Sequence, residues 1–414
     1  MTALSSRSLS AFQSLMREWS ALAPYNFIHA MRLPGPADID RWQNAVAVAA
    51  RTLTVEPEKI RVEQPATGLE THLEAELHRP FSFDGPPFRF FAIDAGDDGH
   101  WFVIVIDHWA ADDFSCRVLL QRIYEIYQGG ATSSPNSPLE WTAASSSRRG
   151  LFRSWYSFLK ESMRMRRACR TLLGDPMDFN VRTFRARFPK GALEANRALA
   201  RENGATLHDV LLASTAQAFG AAREWEGVTR RDAVGVASAM DLRRFESGQR
   251  HFGLHIGYYI VIAKRPRELS LPELIKRIAV QTRRLKAAPG TELFVPALWL
   301  WRRSRSNHSK ATFYSRGAPV VAGLSNVNLT GSWIEQSGIQ EYRRVGPTGP
   351  IVPMVLMITT FRGQIFIDVT FRTAAFTRDE ANRLIDDVIG RLPTGPCPGI
   401  TSHQPPRYGE TRPG

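Results

Sequence analysis

The stretch VIVIDHWAADDF, residues 103–114, decides how this chain is read. Val103 to Ile106 form an apolar, mostly β-branched run that predicts a buried strand. The run stops in Asp107, His108, Asp112 and Asp113, four titratable residues within seven positions. One reading is a strand end followed by a helix cap. The other is a histidine base held at a strand end, with an aspartate fixing the loop. His108 and Asp112 are separated by three residues. A neutral imidazole can take a proton from a hydroxyl or amine as it attacks a carbonyl. Such a group needs a fixed orientation, which a rigid strand end supplies.

The neighbouring sequence predicts a mixed α/β lobe around this run. GPPFRFFAID (85–94) and HWFVIVID (100–107) read as paired strands separated by the turn GDDG (96–99). YNFIHAMRL (25–33) is extended. RWQNAVAVAARTL (41–53) places Trp42, Ala45, Val46 and Ala49 on one helical face, with Asp38 or Asp40 as N-cap. LEAELHRP (73–80) is helix-like. FSCRVLLQRIYEIY (114–127) spaces Phe114, Val118, Ile123, Ile126 and Tyr127 as a helix, which Gly129–Gly130 end. Residues 129–149 are rich in Gly, Ser and Pro and read as a linker. The expected organisation is an N-terminal lobe over 1–150, a basic helical connector over 151–175, a C-terminal lobe over 176–393 and a disordered tail over 394–414. The connector's helical pattern runs from Leu151 to about Leu173. Strands and helices alternate in both halves, which argues for two similar-sized mixed α/β lobes.

Composition narrows the class. The chain has 414 residues, 43% hydrophobic and 10% aromatic, enough for a large core. No run approaches the roughly 18 apolar residues of a membrane span. The first twenty residues carry Arg7, Arg17 and Glu18 and no apolar core segment, so no secretory signal is expected. Cys116, Cys169 and Cys397 form no CxxC pair, which argues against a disulfide framework or zinc site and fits a reducing cytoplasm. The net charge of +13 favours anionic partners without separating nucleic acid, acidic protein, membrane or phosphorylated cofactor. LFRSWYSFLKESMRMRRACR (151–170) concentrates that charge, and reads as a membrane-surface helix, an anionic-partner site or a solvated helix packed between lobes. The chain has no GxxxxGK[ST], GxGxxG, GxSxG or HExxH motif. That weighs against P-loop NTPases, common dinucleotide enzymes, α/β-hydrolases and zincins. No helix-turn-helix or RNA-binding signature supports a nucleic-acid binder.

DHWAADD (107–113) resembles the HHxxxDG motif of the condensation-domain acyltransferase superfamily, which includes chloramphenicol acetyltransferase and nonribosomal peptide condensation domains. Further ordered stretches are similar: PFSFDGPPFRFFAID (80–94), TLHDVLLASTAQAF (206–219), ASAMDLRRF (237–245), HFGLHIGYYIVIA (251–263), GLSNVNL (323–329) and FTRDEANRLIDDVIGRL (376–392). The resemblance implies two chloramphenicol-acetyltransferase-like lobes in a V with a central tunnel. It makes His108 the general base and Asp112 a structural carboxylate paired with Arg243 of the second lobe. Asp107 stands where the motif has its first histidine, and Asp113 where it has glycine. Both are expected to be structural at the site, with the motif helix beginning at Asp113. Glycine serves where φ is positive or space is tight, so Asp113 is the larger departure. Ser325, Asn326 and Trp109 are the candidates for substrate or oxyanion contacts, and Arg164, Arg166 and Arg167 for donor binding. His251 and His255 read as structural, and Asp209 as orienting its helix.

The implied activity is transfer of an acyl group from a coenzyme A or phosphopantetheinyl carrier thioester to a hydroxyl or amine of a small acceptor. No metal and no permanently bound cofactor is implied. An acyl or peptidyl carrier protein is the expected partner, no nucleic acid is, and the chain is expected to be a monomer. Because Asp107 and Asp113 depart from the motif, a noncatalytic condensation-like fold that binds a carrier or partner is the alternative.

Overall fold

The computed structural model describes residues 9–53, 61–82, 84–96, 99–129, 141–143, 151–222, 231–243, 252–287 and 293–395. Most of the expected linker, the tail from 396 onward, His251 and Cys397 lie outside them. Two sheets organise the rest, and the pattern is mixed α/β as the alternation predicts.

The first sheet orders its strands Glu341–Val345, Asn26–Pro34, Gly99–Asp107, Phe88–Asp94 and Val62–Glu63. The expected hairpin is present: Phe88 to Asp94 runs antiparallel to His100 to Ile106. Gly99–Asp107 is central and buried along its whole length, which explains its unbroken apolar run. Side chains alternate across it. Phe102, Ile104 and Ile106 join the core under helices Ile39–Arg51 and Asp113–Tyr127, while Trp101, Val103 and Val105 pack against helix Leu69–His78. Trp42 locks the first of these layers, stacking on Phe102 at 3.9 Å and Tyr127 at 3.7 Å between ring centroids. Asp38, not Asp40, caps its helix by accepting from the Arg41 amide.

The second sheet orders Val181–Arg187, Gln364–Arg372, Met354–Phe361, Ala322–Asn328, Ala233–Asp241 and Ile256–Lys264. Helices Leu207–Ala222, Leu271–Lys286 and Arg378–Gly390 contribute to its core. The halves are not separate in sequence. Glu341–Val345 leaves the C-terminal half and pairs antiparallel with Ile28 to Arg32, so residues 176–393 do not form a lobe by themselves. This strand covers an edge that would otherwise expose unpaired backbone groups.

Two helices differ from expectation. The buried face of Asp113–Tyr127 is Cys116, Leu119, Leu120, Ile123 and Tyr127, while Phe114, Val118 and Ile126 are only half-buried. The shift follows from where the helix begins: Asp112 caps it, and the Asp113 carboxylate turns toward charged partners. The connector helix spans Leu151–Arg164 and stops well before Leu173. Arg166 and Arg167 lie in a turn, and Ala168 bridges in parallel to Ala233, which ties the chain to the start of strand Ala233–Asp241 in the second sheet.

Candidate active site

His108 sits one residue beyond the central strand, at the join between the two sheets. Its backbone N–H donates to Tyr25 O at 3.1 Å, tying it to the start of the neighbouring strand. Its ring stacks nearly parallel on Tyr25 and Phe27, at 5.6 and 5.0 Å between centroids. Nδ1 lies 3.1 Å from Ala111 O. A carbonyl only accepts, so Nδ1 carries the proton and Nε2 keeps a lone pair. Burial is the largest influence on the ring and pushes its pKa below the ordinary histidine value of 6.5, against the pull of the Ala111 carbonyl and of Asp112. The imidazole is therefore neutral at neutral pH, as a base must be.

Asp112 holds the loop from below. It caps the helix by accepting from the Ser115 amide at 3.0 Å. Its carboxylate also accepts both Arg243 terminal nitrogens, at 2.9 and 3.1 Å, and the His255 amide at 2.7 Å. The expected ion pair is therefore a buried, two-pronged bridge from the first lobe to the second. Ser115 adds to the clasp, accepting from the Gly253 amide at 2.9 Å and donating to Gly253 O at 3.0 Å. Gly253 has φ 128°, a backbone conformation that side chains rarely adopt. It lies in the short strand Phe252–Leu254, and its N–H and C=O both bond to Ser115 of the motif helix. His255 contributes its backbone here.

Asp113 is well placed where glycine was expected. It is not among the described non-glycine residues with positive φ, which are Arg265 and Arg362 alone. Its Oδ1 accepts from Arg344 Nε at 2.5 Å, and Oδ2 lies 2.9 Å from Arg117. Burial alone would raise its pKa, yet Arg344 and Arg117 hold it well below the usual carboxylate range. Arg344 is buried and spends its other nitrogens on Ile358 O at 3.0 Å and Ser325 Oγ at 2.8 Å. Because the guanidinium can only donate, Ser325 accepts there and keeps its own O–H proton free to point elsewhere.

Asp107 is structural in its contacts. It accepts from Ser20 Oγ at 3.0 Å and Trp109 Nε1 at 2.8 Å, and burial pushes its pKa up to about 6.

His108, Asp113, Tyr25 and Phe27 face Ala237, Ser238, Ser325, Val355 and Met357 across a cavity of about 740 Å³ between the sheets. Trp109 and Asn326 are not among its lining residues. The Trp109 indole instead packs in the first core, anchored on Asp107 with Arg17 over its ring. Arg164 lines the cavity, but its guanidinium donates to Glu161 at 2.9 Å and Ile260 O at 2.6 Å. Arg167 pairs with Asp232 at 3.1 Å, and both Arg166 and Arg167 are exposed. Asp209 accepts from Thr206 and Thr282 and so ties two helices together. Among the described residues no three His, Cys, Asp or Glu side chains gather as a metal site requires.

Several site residues escaped the sequence reading: Ser115, Gly253, Arg117, Arg344, and the aromatic pair Tyr25 and Phe27. Arg344 left a usable trace. In EYRRV (341–345), adjacent arginines must point to opposite faces of a strand. Each then needs its own acid: Arg343 meets Asp368 at 2.9 Å and Arg344 meets Asp113. A fully buried arginine demands such a partner.

The fold and site thus define a two-lobed α/β protein with a histidine at the wall of a cavity between its sheets. The sequence profile of the Condensation domain family matches residues 38–311, and the chain belongs to that family. Solved structures share the fold at low identity. The condensation domain from the monacolin K polyketide synthase MokA has 12% identity and a TM-score of 0.66, covering 93% of this chain and 96% of that one. The trichothecene 15-O-acetyltransferase from Fusarium sporotrichioides has 10% identity and a TM-score of 0.64, covering 93% and 95%. The X-domain in complex with OxyB from teicoplanin biosynthesis has 17% identity and a TM-score of 0.55, covering 92% of each chain. No curated protein matches the sequence.

Proposed function

We propose that the protein is a condensation-type acyltransferase acting on a thioester, with His108 as general base. The observation that carries the reading is the His108 geometry: Nδ1 lies 3.1 Å from Ala111 O, which can only accept, so the lone pair falls to Nε2 of a ring that lines the cavity. In this scheme Nε2 removes the proton from the acceptor's hydroxyl or amine as its oxygen or nitrogen attacks the thioester carbonyl carbon. The carbonyl oxygen becomes an oxyanion, and the Ser325 O–H, oriented by Arg344, donates to it. Collapse restores the carbonyl, breaks the carbon–sulfur bond and expels the thiolate, which takes the proton from His108. The donor is coenzyme A or a phosphopantetheinyl carrier, and the acceptor a small molecule. The protein works as a cytoplasmic monomer, with its two lobes joined by the basic connector.

The direct test incubates the purified protein with acyl-coenzyme A and acyl-carrier donors plus hydroxyl and amine acceptors, reading transfer by mass spectrometry. Transfer that vanishes in His108→Ala is the expected result. Wild-type protein that transfers nothing from any donor, yet binds a carrier, would instead support the noncatalytic alternative that Asp107 and Asp113 suggest.

Ser325→Ala should lower kcat by about 10²–10³, the usual effect of losing one oxyanion donor, with KM nearly unchanged. A loss confined to KM would mean that Ser325 only binds ground-state substrate. The pH profile gives a second check. A base works deprotonated, so kcat/KM should rise with pH through the His108 pKa and then level. Burial lowers that pKa, which puts the acid limb below 6.5. An acid limb centred above 7, set against that ordinary histidine value, would point to a different base.

Reversing the exposed Arg166 and Arg167 to glutamate should lower kcat/KM for a carrier-bound donor more than for a small uncharged thioester. Equal losses with both donors would make the turn structural.

A further inference from the structure

The connector helix Leu151–Arg164 presents its apolar side to water. Phe152, Tyr156, Leu159 and Met163 are 93%, 67%, 55% and 62% exposed. Steps of four, three and four residues put all four on one stripe about 60° wide. The opposite side turns inward: Ser154 is buried, and Ser157, Phe158 and Glu161 line the cavity. Arg153 and Lys160 are exposed along one flank of the stripe. Glu161, the helix's only acid, is bonded to Arg164 on the inner side. The patch continues onto helix Phe294–Arg303, where Trp299 meets Trp155 edge-on at 5.3 Å. Trp299 is 44% exposed, and Arg303 lies 3.9 Å above its ring.

An exposed apolar stripe continuous with a second helix is unusual on a water-soluble surface and marks a contact site. We propose that this two-helix face docks on the headgroup region of an anionic lipid bilayer. The stripe's centre is free of charge, its border holds tryptophan and tyrosine, and its flank holds cations. That is how a helix lying in a membrane interface is built. Within a chain of net charge +13, the flanking arginines and lysine complement anionic headgroups. A bilayer receives apolar centre and cationic rim together without a matched surface shape. An acidic protein would answer the cations but leave Phe152 and Leu159 facing charge. No described helix is long and apolar enough to cross the membrane, so the contact is peripheral. Because Phe158, Phe294 and Ala297 on the inner sides of the same two helices line the cavity, docking sets the cavity wall beside the lipid phase. A lipophilic acyl chain or acceptor could then pass from bilayer to cavity. That last step rests on the acyl-transfer reading; the docking does not.

Co-sedimentation tests the docking without any measure of activity. The full chain is mixed with vesicles of phosphatidylcholine alone, or of phosphatidylcholine with phosphatidylglycerol. The wild-type protein should sediment with the anionic vesicles, less so at high salt, and weakly with the neutral ones. The combined Phe152→Ser, Tyr156→Ser, Leu159→Ser and Met163→Ser variant should lose at least about tenfold in partitioning, given the apolar area withdrawn. These side chains are exposed, so its circular dichroism and melting should match wild type. Arg153→Glu with Lys160→Glu, also exposed, is a second variant that should lose anionic binding. Wild-type protein that ignores vesicles, or serine variants that bind them equally, overturn the proposal. Equal binding to neutral and anionic vesicles removes its electrostatic half. A wild-type dimer that the four serines disperse, with no vesicle binding, assigns the stripe to a second copy of the chain instead.

Discussion

Replacing His108 with alanine is expected to lower turnover about 10²–10⁴-fold, the scale of a lost general base, while leaving the fold intact. The fold should survive because the His108 backbone bond to Tyr25 O does not depend on the side chain. The ring's stacking on Tyr25 and Phe27 is lost, a small packing change beside the cores of the two sheets. The measurement is kcat at saturating donor and acceptor, beside a melting curve. Near-wild-type turnover would remove His108 from the mechanism. A collapsed melting transition would make the residue structural, and His108→Gln, which keeps more of the ring's volume, would separate the two outcomes.

The second large effect lies beneath the loop. Asp112→Ala leaves the Arg243 guanidinium buried without its two-pronged partner and strips the Ser115 and His255 amides of their acceptor. Breaking one side of a buried ion pair typically costs about 3–5 kcal/mol. Arg243→Ala should cost a comparable amount, because a buried carboxylate then keeps only neutral donors. The double variant should lose much less than the sum, since each single change already pays for the same broken bridge. Denaturant melts of the four proteins close the cycle. Additive losses would show that the two residues act independently, and would leave the Ser115–Gly253 bonds and the hydrogen bond from the Asp112 amide to Gly253 O joining the lobes at this point.

Much of this was legible in the chain itself. The β-branched run before His108 demanded a buried strand, and Gly99–Asp107 is one. The His108–Asp112 spacing and the DLRR stretch, read by resemblance, paired Asp112 with Arg243, and the carboxylate and guanidinium do meet. The Asp113 departure read as a threat because a missing glycine suggests strain. The helix starts at Asp113 with ordinary φ, and the carboxylate instead feeds Arg344. The connector was the opposite case. Its charge and apolar spacing left a membrane-surface helix, an anionic-partner site and a helix packed between lobes all open, because spacing says only which residues share a side; in the fold that side faces water.

Local pattern determined what depends on neighbours a few residues apart: strand alternation, helix spacing and the narrowing of one helix cap to Asp38 or Asp40. It also determined the charge of the connector and the family resemblance on which the choice of base rests. Tertiary structure alone decided what depends on residues far apart. Glu341–Val345 reaches back to the first sheet, Arg344 joins Asp113 to Ser325, and Gly253 closes on Ser115. It also left Trp109 in the core and turned the Phe152–Met163 stripe outward. The physical reason is common to all of them. A buried charge or an apolar face requires a partner, but the requirement does not name one, and only the folded chain fixes which distant group lies within hydrogen-bond or van der Waals reach.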